Sequence, residues 1–170
     1  MPIPLVTERL ELRAPTLADA EPLAAVLSDA QAMRHIGAGE IWDRERIREL
    51  QGRKIEHLAD KGYSLYTVLR RFDGAVLGDC GLWTWADTGE PEIGWRFAPA
   101  HWGQGYASEA ARAVFAHGRD EIGLRHLICM AYDENVASWR IAERLGFALD
   151  RREERYGRLA RRYLWTATGS

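Results

Sequence analysis

Between Glu92 and Ala116 the chain changes its period within a few residues, and little else in the sequence constrains the fold so tightly. Ile93, Trp95 and Phe97 alternate with Gly94, Arg96 and Ala98, the period of two that marks a half-buried strand. Pro99 has no NH and ends ladder pairing there. From Ser108 onward, Ala110, Ala111, Val114 and Phe115 recur at helical spacing among good helix formers, which predicts a helix to about His117 with Gly118 as its stop. Strand and helix are joined by Trp102-Gly103-Gln104-Gly105-Tyr106-Ala107. Two glycines in this loop allow a tight turn and a ligand's close approach to the main chain. The first-turn NH groups of the helix lie at the positive end of its dipole, so the site suits a phosphate. No lysine follows at the spacing of a nucleotide-hydrolysing phosphate loop, so an organic diphosphate held by main-chain amides fits better than a metal-bound triphosphate. A ligand-free strand-to-helix connection is the other reading, and the loop alone does not separate the two.

The flanking sequence supplies a sheet for this unit. Thr7 to Arg13 alternates apolar and charged residues and predicts an edge-type first strand closed by Pro15. Thr16 with Asp19 resembles a capping box for a helix carrying Leu17, Ala20, Leu23, Ala24 and Leu27. Asp43 starts a second helix through about Lys61, with Ile47, Leu50, Ile55 and Leu58 inward, a charged outer face and Gly62 at its end. Tyr63 to Leu69 and Ala75 to Trp85 read as strands joined at Asp73-Gly74, and Asp87-Thr88-Gly89 turns the chain into the Glu92 strand. After the loop helix, His126 to Tyr132 is a nearly continuous apolar run, as in a parallel strand covered on both faces. Asn135 at the N-cap and Gly146 at the left-handed C-terminal position bound a last helix, and Phe147 to Tyr156 and Ala160 to Thr168 form a closing hairpin.

At 170 residues and 46% hydrophobic composition the chain is long enough for one substantial core, which predicts a single domain over residues 1–170. A formal charge of −2 supplies no global basic field, so a nucleic-acid partner is not expected. No apolar run approaches bilayer length and no secretory signal precedes the first strand, so the expectation is a cytoplasmic protein without a membrane partner, monomeric or homodimeric. Cys80 and Cys129 each sit in an apolar run and read as unreactive buried thiols. Five dispersed histidines show no spacing suited to a metal, and no metal is expected.

Two motifs, in order and suitably separated, resemble those of one family. Trp-Gly-Gln-Gly-Tyr-Ala-Ser-Glu-Ala from Trp102 matches the acetyl-CoA-binding loop of the GNAT N-acetyltransferase superfamily, and looks most like its ribosomal-protein alanine N-acetyltransferase (RimJ/RimL-type) branch. Asn135, with Ser138 three residues on and Gly146-Phe147 at the helix end, is similar to the second family signature. The N-terminal segment through Gly37 is similar to the same family's opening, where two helices and their connection form one wall of the acceptor pocket. Trp102 departs from the pattern, since many members carry Arg or Gln there; the amides are unaffected but one polar contact is lost. The resemblance implies an α/β (α+β) fold: a strongly twisted mixed sheet of six to seven strands, about four flanking helices, and two central parallel strands that splay apart. Acetyl-CoA, as acetyl donor, would enter that wedge. Its diphosphate would rest on Trp102, Gly103, Gln104, Gly105, Tyr106, Ala107 and Ser108, its pantetheine arm along Trp95, Arg96 and Phe97, with Asn135 and Ser138 alongside.

Attack on a thioester requires a free amine, so a base or a water chain must remove a proton. Glu92, at the start of the strand lining the reaction centre, is one candidate; Glu153 and Glu154, where the branch also places a base, are the other. A main-chain NH near Trp95 to Phe97 would serve the oxyanion. Ser138 matches the residue proposed in the family to assist the leaving thiolate, with Tyr156 as a more distant alternative. Trp83 and Trp85 share a face beside the Glu92 strand and are candidates for the acceptor pocket, with core packing as the alternative. The expected activity is direct acetyl transfer to a primary amine, either a protein N-terminus or a small amine. A non-catalytic acyl-CoA sensor and an unrelated nucleotide-binding module are the competing readings.

Overall fold

A computed structural model describes residues 3–168. Within them eight strands form one sheet in the order β1-β2-β3-β4-β5-β6-β8-β7. In chain order the elements are β1 (Leu5–Val6), β2 (Leu10–Arg13), α1 (Ala20–Leu27), α2 (Ala30–Met33), α3 (Arg44–Lys61), β3 (Leu65–Arg70), β4 (Val76–Thr84) and β5 (Pro91–Phe97). There follow α4 (Tyr106–Asp120), β6 (His126–Tyr132), α5 (Val136–Arg144), β7 (Ala148–Arg155) and β8 (Arg158–Thr166). The strand count rises to eight because Leu5–Val6, ahead of the strand read from Thr7, pairs with β2 across a turn in which Thr7 NH bonds Leu10 O at 2.9 Å. The fifth helix is the single turn Ala30–Met33, capped by Asp29 on the NH of Ala32.

Every neighbouring pair in the sheet is antiparallel except β5 and β6, which are parallel. The seven-residue strands β5 and β6 share one register pair, Glu92 opposite Ile128, and then diverge. The splay is therefore real and begins immediately after Glu92. The hydrogen-bond parity of β4 and β5 decides what faces the gap. Trp85 NH bonds Glu90 O at 3.1 Å and Ala98 NH bonds Leu77 O at 3.0 Å, so between them Glu92, Gly94 and Arg96 are the residues whose main chain is spent on β4. The backbone groups of Trp95 and Phe97 point the other way, into the gap.

β4 is buried almost throughout, as in a strand covered on both faces. One apolar cluster joins the sheet to α4 and α5 through Leu82, Ile93, Ala110, Val114, Ile141 and Phe147. A second joins α1, α2 and α3 to Ala98 and Val76 through Leu23, Leu27, Met33, Ile47 and Leu50. Helix α3 turns a different stripe inward from the one its apolar residues suggest. Ile47, Leu50, Gln51 and Lys54 are buried, spaced by three and four as a helix face demands, whereas Ile55 is 37% exposed. Helix α4 also runs past its expected stop: Gly118 is buried inside it, and a Cβ there would stand 3.1 Å from Leu82 Cδ1, so this glycine serves close packing against β4. At the far edge, β7 is exposed along nearly its whole length and carries five successive charges from Arg151 to Arg155.

Candidate active site

Past the Glu92–Ile128 pair, β5 and β6 enclose a cleft of about 830 Å³. Glu92, Trp95 and Arg96 line one side; Cys129, Met130, Tyr132, Asn135 and Ser138 line the other. Trp83 of β4, Trp85 just beyond its end, and residues of the α2–α3 connection, among them His35, Gly37, Glu40 and Trp42, complete the walls. That connection is tied across the open end: Tyr132 Oη donates to Gly37 O, and Arg158 donates to Arg34 O at 2.7 Å while its guanidinium lies 3.8 Å over the Tyr132 ring. The opening segment thus forms a cleft wall as the resemblance implied.

Glu92 stands where the strands part. Trp85 Nε1 donates to its Oε2, Met130 main chain hydrogen-bonds it, and burial outweighs both, pushing its carboxyl up to about 7. Trp85 shares the β4 face of Trp83, the direct cross-strand partner of Glu92, so the sheet register brings the indole to the carboxylate. Three residues further into the gap is Trp95, whose outward-facing NH is the kind of donor an oxyanion requires. Ser138, in the first turn of α5, lines the opposite side of the cleft, and among the described residues its hydroxyl bonds no other side chain. Asn135 occupies the N-cap position of α5 but its side chain makes no capping bond, which leaves the amide to the cleft it lines.

Below the cleft floor a charge cluster fixes Arg96. Asp79, paired across the ladder with Arg96, accepts from Arg96 Nε at 2.8 Å and from Lys54 Nζ at 2.5 Å. Lys54 and Asp79 are 0% and 1% exposed. The two cations hold the Asp79 carboxyl down at about 2 despite its burial, and burial pulls the Lys54 ammonium below its usual range. Arg162 does similar work on the β8 side, reaching Asp150 and Glu90.

At the C-terminal end of β5 the glycine loop is anchored by Trp102, whose Nε1 donates to Phe97 O at 2.8 Å, and by Gln104, whose Nε2 donates to Ala100 O at 3.2 Å. Gly103 and Gly105 have φ of +70° and +80°, the left-handed region that side chains resist. Gly105 is also the N-cap of α4, so no side chain caps the helix. Among the described residues no protein oxygen accepts the NH groups of Gly103 to Ser108; the first to find one is Glu109, on Gly105 O at 3.1 Å. Six consecutive unclaimed donors at a helix N-terminus are what a diphosphate cradle requires. A Cβ on Gly105 would come 3.3 Å from Arg9 Nη2. The backbone angle of Gly105 favours glycine.

These observations decide the comparison with known proteins. The family described as Acetyltransferase (GNAT) domain matches residues 9–148. The chain belongs to the GNAT acetyltransferase family. YnaD, described as an uncharacterized N-acetyltransferase of Bacillus subtilis strain 168, is 28% identical over 142 residues, covering 84% of this chain and 81% of YnaD. A GNAT-family acetyltransferase from Bacillus anthracis superposes with a TM-score of 0.82 at 24% identity, over 95% of this chain and 97% of that one. RimL, a ribosomal L7/L12 α-N-protein acetyltransferase solved with coenzyme A, superposes with a TM-score of 0.79 at 21% identity, over 95% and 96% of the two chains, a likeness of fold. Acetyl-CoA is the acetyl donor of this acetyltransferase.

The remaining sequence-predicted residues fall into two groups. Phe97 and the stretch from Trp102 to Ser108 continue from the cleft along the end of β5. Glu154 is exposed on β7 and does not line the cleft, because alternation along the strand sends Arg151 and Arg155 toward it and Glu154 to the opposite face. Glu153 is held between Arg151 and Arg155 at 2.8 Å from each, which keeps its carboxyl below its ordinary range, unlike a base poised near neutrality. Tyr156 lines the cleft from the β7–β8 turn, with φ +50° and 70% exposure. Among the described residues no three His, Cys, Asp or Glu side chains gather as a metal ion would need.

Proposed function

We propose that this acetyltransferase transfers acetyl directly to a primary amine, a protein N-terminus or a small amine, with Glu92 as the base and Ser138 as the hydrogen-bond donor to the departing sulfur. The donor supplies a thioester carbonyl. Glu92 supplies what an ammonium acceptor lacks, a carboxylate whose affinity for protons matches neutral pH. The main-chain NH of Trp95 is the oxyanion donor, and the amides from Gly103 to Ser108 hold the diphosphate. The observation that carries this reading is the Glu92 carboxyl, raised to about 7 at the point where the two parallel strands separate. Neither cysteine enters. Both are buried with thiols pushed well up, so an acyl-enzyme has no nucleophile here. Branch-level likeness and the aromatic cleft walls support an amine acceptor without choosing its size.

A panel of N-terminal peptides and small amines, scored by release of CoA thiol, tests the reading. At least one amine should be turned over, and Glu92→Gln should lower its kcat/KM roughly 10²- to 10⁴-fold, the usual range for a lost general base. A Glu92→Gln enzyme with wild-type turnover removes Glu92 from the role.

A further inference from the structure

With glycine at 105, at φ +80°, one of the two torsions that turn the peptide between Gln104 and Gly105 is unrestrained by a side chain. Turned over, it would aim a carbonyl at the donor's phosphates. What holds it comes from 95 residues away: Arg9, just before β2, donates from Nη1 to Gln104 O at 2.8 Å. A trans peptide is planar, with its C=O and N–H pointing in opposite directions. Drawing the Gln104 carbonyl toward Arg9 therefore turns the Gly105 NH away from the protein, where no protein oxygen accepts it.

Arg9 is itself fixed on the helix that carries the cradle. Its Nε donates to Glu109 Oε2 at 2.7 Å and its main-chain NH to Glu109 Oε1 at 2.9 Å. Thr7 Oγ1 donates to the same Oε1 at 2.5 Å, and the guanidinium lies 4.5 Å over the Tyr106 ring. Carbonyl, carboxylate and ring together occupy the flat fork of the guanidinium in a way a lysine cannot copy. Glu109, in the first turn of α4, thus couples the start of β2 to the loop.

We propose that Arg9, clamped by Glu109 and Thr7, is a positioning residue for the donor's diphosphate, setting the 104–105 peptide so that its NH is presented to the phosphate oxygens. This rests on the reading of the loop as the diphosphate cradle. The test is titration calorimetry of wild type, Arg9→Met, Arg9→Lys and Glu109→Gln with CoA and with pantetheine, which ends before the diphosphate, alongside thermal unfolding of each variant. Wild type binds CoA more tightly than pantetheine. Arg9→Met weakens CoA roughly ten- to a hundredfold, the scale of one charge-assisted contact, leaves pantetheine within about twofold, and Arg9→Lys recovers only part of the loss. Glu109→Gln, which loosens Arg9 while keeping its guanidinium, shifts CoA in the same direction and supplies the answer should Arg9→Met fold poorly. Equal weakening of both ligands, or of neither, overturns the role of Arg9. Equal affinity of wild type for CoA and pantetheine overturns the cradle itself.

Discussion

In the role proposed for Glu92, activity and stability pull one carboxyl in opposite directions. Glu92 titrates at about 7 in the folded protein, against 4.5 for the free side chain, because burial disfavours its charge more than its hydrogen bonds favour it. If its carboxylate is the working form, as we propose, kcat/KM should rise with pH through about 7 and level off above it, and Glu92→Gln should lose this limb; stopped assays from pH 5.5 to 9 test both. The stability consequence has the opposite sign. Between the two pKa values the folded state binds more protons than the unfolded state, so stability falls as pH rises through that window, and above it the penalty is complete. With a shift of this size the penalty is on the order of 3 kcal/mol. At pH 8 Glu92→Gln should therefore melt above wild type, and at pH 4 the difference should vanish.

At the scale of the element, β4 and α3 are joined by charge where the sequence suggested oil. Asp79→Asn would leave Lys54, 0% exposed, and Arg96 without their carboxylate, and the expected loss is about 3–5 kcal/mol in urea denaturation. The cap of α3 at Asp43, its stop at Gly62 and the turn at Asp73-Gly74 were readable because each depends on residues a few positions apart. The inward face of α3 was misread by one residue. Composition favours Ile55 over Lys54, and only the arrival of Asp79 from β4 makes the lysine the buried one. Gly118 misled for a related reason, since a glycine that stops a helix and one that lets a strand approach it look alike until the strand is placed. The strand, loop and helix around Gly103 and Gly105 were legible together, because a change of period and two glycines are local facts. The Arg9 clamp was not; nothing local links Arg9 to Gln104 or Glu109.

Taken whole, the acetyltransferase keeps its site empty of its own side chains by letting two strands pair once and part. The six free amides at one end of that wedge have no intramolecular use, so the folded state is incomplete without an anion. Saturation with CoA at about a hundred times its dissociation constant should add about 2.7 kcal/mol to the unfolding free energy, and amide exchange should slow at Gly103 to Ser108 more than elsewhere. Edges matter at this scale as well. A sheet with a free margin invites a strand from another molecule, and here the margins are the two-residue β1 and the longer β7, with its run of arginine and glutamate from Arg151 to Arg155. An incoming strand would have to lay its side chains beside guanidinium and carboxylate groups already paired with one another, and would strip their water for nothing in return. The charges first met as catalytic candidates thus make this edge a poor partner for an incoming strand.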